Sequence, residues 1–204
     1  MGVDVKLCTK QPIHIGPRLF QLELIDGTKY LILIKKNWEN IFDTNFSITQ
    51  DTQLQWFQYR VLHRILPLNK YLVKIKQRDC NLCSLCGMEE EDILHVFCDC
   101  SIVIPFWVNL KQCLWESCNI CINIDNQSIL FGTKTRNANT CNIIYLLSKY
   151  YIYISLKKGK DIKLQNCKAF IRQKFEIQKC IARESKTEIE KFERDWIPIF
   201  PLFG

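Results

Sequence analysis

The feature that most constrains this chain is a cluster of cysteines between residues 80 and 100. The stretch reads CNLCSLCGMEEEDILHVFCDC and holds five cysteines and one histidine. Thiols this dense form disulfide bonds, pack as small buried side chains, or bind one metal ion together. Redox environment and ligand spacing decide among these arrangements.

The N-terminal sequence favours reduced thiols. MGVDVKLCTKQPIHIG lacks the uninterrupted apolar run of a secretory signal. The longest apolar run, NIIYLLSKYYIYISL at 142–156, is short for a membrane span and carries Lys149 in its middle. We therefore expect an intracellular chain, in the cytoplasm, the nucleus or both, with no membrane partner. Clustered cysteines in such a chain are typical of metal ligands.

The spacing of the cluster predicts a structural zinc site. Cys83 and Cys86 form a C-x2-C pair, and Gly87 supplies the backbone freedom that such turns often need. His95 and Cys100 form H-x4-C, which falls within the spacing of second ligand pairs in structural zinc sites. Three thiolates and one imidazole fill a tetrahedral shell and leave no position for a catalytic water. We therefore predict Zn²⁺ as a structural cofactor.

Two other cysteines compete for this site. Cys98 follows His95 by three residues, on the same face of any helix there, and could replace Cys100. A five-residue separation would require such a helix to unwind before Cys100. Cys80 is the other spare thiol. A second C-x2-C, SCNIC at 117–121, has no further ligand pair at usable spacing, and we interpret it as packing.

Apolar periodicity predicts a mainly α fold, with helices around a small CCHC zinc knuckle and a β-hairpin at the N-terminus. The hairpin is predicted at residues 18–36, which alternate around the turn-forming pair Asp26-Gly27. Residues 122–140 read as a polar loop. Helical spacing or capping signals appear at 54–66, 69–77, 101–117, 139–158, 161–184 and 188–196. Asn69 is the predicted cap of the second of these helices. We divide the chain into a hairpin segment (1–37), a helical zinc-binding domain (38–121) and a basic helical tail (122–204).

Positive charge is concentrated on either side of the knuckle. The net charge of +7 favours anionic partners, and residues 52–78 contain six basic and no acidic side chains. Residues 79–100 carry six carboxylates and no base, so we expect this solvated acidic loop to repel phosphates and the knuckle to clamp the flanking helices. The residues predicted to contact nucleic acid are Arg60, Arg64, Lys70, Lys74, Lys76, Arg78, Lys157, Lys158, Lys160 and Lys163.

The order of these features resembles the zinc-binding segment that follows the polymerase domain in reverse transcriptases of non-LTR retrotransposons. The similarity extends over roughly residues 38–196, and residues 1–36 lie outside it. Asp92 stands where the family usually has Thr before the histidine. The matching positions are Trp56 and Phe57, residues 69–72, Cys83 and Cys86, residues 89–92, His95 and Cys100, and Trp107.

The resemblance implies a non-catalytic accessory module that helps to hold RNA or single-stranded DNA during target-primed reverse transcription. Other parts of such a reverse transcriptase are then expected partners. The chain has no Asp-Asp pair of the polymerase type and no endonuclease set of paired carboxylates with histidines, so we expect no enzymatic activity. The alternative class is a zinc-stapled protein-interaction adaptor that uses the acidic loop as its contact surface.

Overall fold

The computed structural model describes residues 47–134 and 137–204. In these two ranges the chain is helical and contains no strand, which confirms the mainly α prediction for this part. The predicted hairpin at residues 18–36 lies outside the described residues. The helices are α1 (Thr52–Leu62), α2 (Asn69–Lys74), α3 (Ile104–Cys118), α4 (Asn126–Phe131), α5 (Ala138–Lys157), α6 (Leu164–Ala182) and α7 (Lys186–Asp195), with a π-helical turn (His95–Asp99) before α3 and a 3-10 helix (Ile197–Phe203) after α7.

Short polar side chains begin three of these helices. The Asp51 side chain accepts hydrogen bonds from the first backbone N–H groups of α1, and Ser185 does the same for α7. Asp125 caps α4, which occupies part of the region predicted as a polar loop. That prediction was wrong for 126–131, because the Asp125 cap and the burial of Ile129 and Leu130 stabilise a short helix there.

Helix α2 is shorter than the sequence predicts. It ends at Lys74, and Lys76 then adopts a left-handed backbone conformation with φ of 58°. Its first helical residue is Asn69, whose predicted role was that of a cap. The turn after α2 leads the chain directly into the cysteine cluster.

Helix α5 lies at the centre of the described residues and packs against α1, α4, α6 and α7. Residues 140–149 are all buried, which is why its sequence is apolar around most of the helix rather than along one stripe. Phe57 of α1 packs against Tyr150 and Tyr153, with ring centroids 5.2 Å and 5.5 Å away. Each fully buried aliphatic or aromatic side chain contributes about 1.5–3 kcal/mol to this core.

The buried face of α5 includes one lysine. The Lys149 ammonium nitrogen donates to the Gln58 side-chain oxygen at 2.8 Å and to the Leu130 carbonyl at 3.0 Å, which ties α1 and α4 to α5. Burial lowers the pKa of Lys149 to about 7, with the nearby Cys98 opposing this shift. No helix in the two described ranges is long and apolar enough to cross a membrane.

Candidate metal centre

The structure brings the four predicted ligands to one point. The donor atoms of Cys83, Cys86, His95 and Cys100 all lie within 4.8 Å of one another. In a tetrahedral site with Zn–S bonds of about 2.3 Å, the sulfurs stand about 3.8 Å apart. Small side-chain rotations therefore suffice for the four donors to close on one ion. Three thiols and one imidazole are the donor set of a structural zinc site.

The first ligand pair is held by a tight turn. The Gly87 N–H donates to the Cys83 carbonyl at 2.8 Å, and the Leu85 N–H points to the Cys83 sulfur at 3.4 Å. Gly87 has φ of +70°, a conformation that side chains disfavour, which explains the glycine after the second cysteine. The chain then returns so that the Cys83 N–H donates to the Glu89 carbonyl at 2.7 Å.

The second ligand pair lies at the two ends of the π turn. The Cys100 N–H donates to the His95 carbonyl at 2.8 Å, the five-residue step of a π-helix. The π turn is wider than an α-helical turn and ends at Asp99, and Cys100 follows in an extended conformation, which confirms the expectation that a helix must unwind before Cys100. The Trp107 indole N–H donates to the Phe97 carbonyl within this turn at 2.7 Å.

The competing cysteines lie elsewhere. Cys98 is buried on the side of Lys149, and burial raises the pKa of its thiol to about 12. Cys80 is exposed and does not belong to the cluster of donors. Cys118 directs its sulfur towards the Ile199 carbonyl at 3.9 Å. Over the ranges 47–134 and 137–204, the four-residue cluster is the one group of three or more potential ligands.

The two ring nitrogens of His95 face different groups: one faces the other ligands, and the second faces a carboxylate. Its Nε2 lies 3.3 Å from the Cys86 sulfur. Its buried Nδ1 has no hydrogen-bond partner, although the Glu89 carboxylate lies 3.2 Å away in unsuitable geometry. Metal-binding histidines usually donate their second N–H to such a carboxylate, so a small rotation of Glu89 would complete this arrangement.

The three thiols differ in acidity before any metal binds. Burial raises the pKa of Cys83 and takes that of Cys100 to about 12. At Cys86 burial acts in the same direction, but the N–H groups of Met88 and Glu89 outweigh it and lower the pKa to about 6. Zinc binding near neutral pH must therefore displace protons from Cys83 and Cys100.

A buried carboxylate joins the knuckle to α2. Glu91 is fully buried and accepts the Asn69 backbone N–H at 3.0 Å, the Asn69 amide at 3.1 Å and the Ser84 N–H at 2.7 Å. The Asn69 amide also donates to the Leu82 carbonyl at 2.7 Å, and its oxygen accepts from Arg78. Asn69 thus fixes the knuckle where the sequence predicts only a helix cap.

Other members of the acidic loop are also engaged. Lys70 pairs with Glu90 at 2.7 Å and Asp92 at 3.2 Å, and these carboxylates hold the pKa of Lys70 above its usual range. Asp92 also accepts the His95 N–H at 2.9 Å. The prediction of a solvated acidic loop was wrong for Glu91, which is buried against Asn69 at the start of α2, whereas Glu90 stays exposed while it pairs with Lys70.

The predicted nucleic-acid contacts occupy several places. All of them except Lys70 are exposed. Lys163 pairs with Asp161 at 3.3 Å. Lys157, at the end of α5, donates to the Pro67 carbonyl and lies close enough to Arg78 for the two charges to interact. Arg60 on α1 lies close enough to Tyr153 of α5 for its charge to act on the phenol, and the ring of the nearby α1 residue Phe57 lies 5.5 Å from that of Tyr153.

Comparison with known protein families agrees with this geometry. Residues 29–107 match the family described as zinc-binding in reverse transcriptase, a zinc-binding rather than a catalytic domain. The match starts within the predicted hairpin segment and ends at Trp107. No curated protein and no solved structure matches the chain. The four clustered donors lie within the matched segment 29–107, which is similar to the zinc-binding domains of reverse transcriptases, and zinc is the metal that the family description names.

Proposed function

We propose that this chain is a nucleic-acid-binding accessory module of a reverse transcriptase of the non-LTR retrotransposon type. In this role a structural zinc ion fixes the knuckle, and neighbouring cations hold RNA or single-stranded DNA during target-primed reverse transcription. The match of residues 29–107 to the family described as zinc-binding in reverse transcriptase supports this context. The arrangement of cations around α5 supports the binding role.

The observation that carries the proposal is the convergence of basic residues that are distant in sequence. Lys157 at the C-terminal end of α5 contacts the Pro67 carbonyl and lies near Arg78. Arg60 lies near Tyr153, one turn before Lys157. We call Arg60, Arg78, Lys157 and the Tyr153 ring the basic surface. It unites the two positively charged segments that the sequence places about eighty residues apart.

The electrostatics of this surface suit an anionic ligand. Burial lowers the pKa of Lys157, nearby Glu91 opposes that shift, and Arg78 adds to it. A phosphate between Lys157 and Arg78 would relieve the repulsion between the two cations. Glu91 is fully buried and accepts hydrogen bonds from Asn69, so its carboxylate does not occupy the surface that a phosphate would approach.

The knuckle also positions part of this surface. Arg78 donates to the Asn69 side-chain oxygen, and Asn69 donates to the carboxylate of Glu91, which in turn holds Ser84 between the first two ligands. Zinc binding is thereby linked through a short chain of hydrogen bonds to the orientation of a cation. The engagement of the acidic side chains disfavours the alternative adaptor, whose contact surface would be the acidic loop.

The test is a binding titration of the zinc-loaded chain with a labelled single-stranded oligonucleotide. We expect binding at about 50 mM salt and at least tenfold weaker binding at about 200 mM, since a few phosphate contacts suffice for that loss. The double variant Arg60→Gln/Lys157→Gln should bind about tenfold more weakly and show a shallower salt dependence.

The matched control removes the same charge at the other end of α5. Arg183→Gln/Lys186→Gln alters exposed residues at the α6–α7 junction, and α7 contacts the first turn of α5 through Asp195 and Thr140. This variant should bind like the wild type. Absence of binding at low salt, salt-independent binding, or equal losses in the two double variants would contradict the proposal.

A further inference from the structure

An exposed tryptophan on α1 is explained neither by the core nor by the metal centre. Trp56 is 61% exposed, whereas its neighbour Phe57 is 4% exposed and packs into α5. Of the other tryptophans in the described ranges, Trp107 and Trp196 are buried. Tryptophan is enriched at contact surfaces relative to the rest of the protein surface, so the neighbours of Trp56 on α1 decide whether it belongs to one.

Trp56 begins a row of rings along one face of α1. Its ring centroid lies 5.5 Å from that of Tyr59, at an interplanar angle of 75°. The Tyr59 ring lies 4.0 Å from that of His63, at 34°. Positions 56, 59 and 63 follow the three- and four-residue spacing of a single helical face. Burial lowers the pKa of His63, which favours the neutral imidazole in this row.

Arg60 lies next to this row of rings on α1 and is also part of the basic surface. Arg60 follows Trp56 by one helical turn and is exposed. The same residue lies near Tyr153, and Tyr153 lies under the Lys157 ammonium nitrogen, 5.7 Å from the ring centroid. The row of rings and the basic surface therefore form one continuous strip from Trp56 to Lys157.

We propose that the α1 face centred on Trp56 is a base-stacking platform, so that the ligand of this strip is an unpaired stretch of nucleic acid rather than a duplex. The inference rests on the proposed function and adds the class of ligand. The indole offers a π face for one base, and Arg60 offers a charge for the adjoining phosphate. In a duplex the base faces are already stacked inside the helix, so none is available to the indole of Trp56.

The experiment compares two ligands that share a backbone. One is a labelled oligothymidylate of about twelve nucleotides, within the usual site sizes of single-strand binders. The other is a backbone of the same length that consists of abasic sites. The wild-type chain should bind the oligothymidylate about tenfold more tightly, near the lower end of the effect of one stacked base. Trp56→Leu should abolish that difference and leave binding of the abasic strand unchanged.

Two further variants separate stacking from loss of surface area or folding. Trp56→Phe retains a ring and should keep most of the preference for the base-containing strand. Trp115→Leu removes another exposed tryptophan, 57% exposed on α3, and should leave the preference intact. Circular dichroism should show the same helix content for all three variants, since Trp56 and Trp115 contribute little buried area.

The outcomes distinguish this inference from the function on which it rests. Equal affinity of the wild type for the two strands, or a preference that survives Trp56→Leu, would refute the stacking platform while leaving electrostatic binding in place. Tighter binding of a duplex than of the oligothymidylate would refute it as well. Failure of every strand to bind at about 50 mM salt would refute the proposed function itself.

Discussion

At the residue scale, Glu91 is a structural residue that cannot be recognised within the four consecutive acidic residues at 89–92. It stands in the sequence between Glu90 and Asp92, and nothing in that run distinguishes it. In the fold it is buried and accepts three hydrogen bonds, two from Asn69 and one from Ser84. A buried charge is tolerated when its lone pairs are satisfied in this way.

Replacing Glu91 should therefore destabilise the zinc-loaded chain. Glu91→Gln sets an NH2 group against N–H donors, and we expect the free energy of unfolding to fall by about 2–3 kcal/mol. Glu90→Gln makes the same replacement of a carboxylate by an amide at an exposed neighbouring residue. It should lower the free energy of unfolding by less than about 0.5 kcal/mol. Urea unfolding with excess zinc measures both variants. Equal losses would contradict the buried role of Glu91.

The second prediction at the residue scale concerns Lys149 and the pH dependence of the free energy of unfolding. Its pKa is about 7 when folded, below the ordinary value of 10.5. Between these values the unfolded lysine holds a proton that the folded one lacks, so stability should rise with pH, by at most about 1.4 kcal/mol per unit. This contribution is lost as the pH falls through the folded pKa.

The test of Lys149 is a comparison of slopes. Lys149→Met should flatten the increase of unfolding free energy between about pH 7.5 and 9.5, measured by urea titration with excess zinc. Lys158→Met removes an exposed lysine and should leave the wild-type slope unchanged. Parallel curves for the wild type and Lys149→Met would show that the buried lysine keeps its proton in the folded chain.

At the element scale, the π turn and the C-x2-C turn are the two devices that close the site. H-x4-C is a spacing that an α-helix cannot present on one face, and the π turn at His95–Asp99 resolves it. The Trp107 indole satisfies a carbonyl of that turn. The ligands were predictable from spacing, but the π turn was not, because its stabilising partner lies in α3.

A substitution at Gly87 tests the contribution of the C-x2-C turn. A Cβ at Gly87 would contact nothing within 4 Å, so Gly87→Ala should cost about 1 kcal/mol through its φ of +70° alone. The matched control is Gly159→Ala, at φ of +58° with similarly open space after α5. Both variants should lose similar stability when zinc is bound.

The two glycine variants should differ in their affinity for zinc. Gly87→Ala strains the turn that presents Cys83 and Cys86, and we expect its zinc affinity to fall about fivefold, which corresponds to that ~1 kcal/mol of strain. Gly159→Ala lies after α5, away from the ligands, and should bind zinc as the wild type does. Competition with a chromophoric chelator measures both affinities. An equal change in both variants would argue against a local role for Gly87.

At the scale of the whole molecule, two parts of the described chain are stabilised by different interactions. Around the knuckle, α2 and the residues from 75 to 94 bury little apolar area and are joined by polar contacts and the ligands, whereas the π turn packs Val96 and Phe97 into the core. The α5 region is held by a conventional core with residues such as Ile144, Ile152 and Phe175 at its centre. Metal binding should therefore matter unequally along the chain.

Removal of zinc should open the knuckle and spare the core. After chelation we expect amide hydrogens of residues 69–94 to exchange much faster, whereas those of residues 141–156 stay protected. Cys83→Ser should reproduce this pattern without a chelator, and Cys121→Ser, at an exposed cysteine outside the cluster, should not. Uniform exchange along the chain after zinc loss, or no change at all, would contradict this division.

The sequence by itself determined the metal, its four ligands and the helical class, because ligand spacing and apolar periodicity are local properties of the chain. It also determined which residues carry the positive charge. Tertiary structure alone decided that Glu91 is buried, that Lys70 neutralises acidic neighbours, and that Lys157 lies close to Pro67 and Arg78. These contacts join residues that are separated in sequence, and only the folding of the chain brings them within reach of one another.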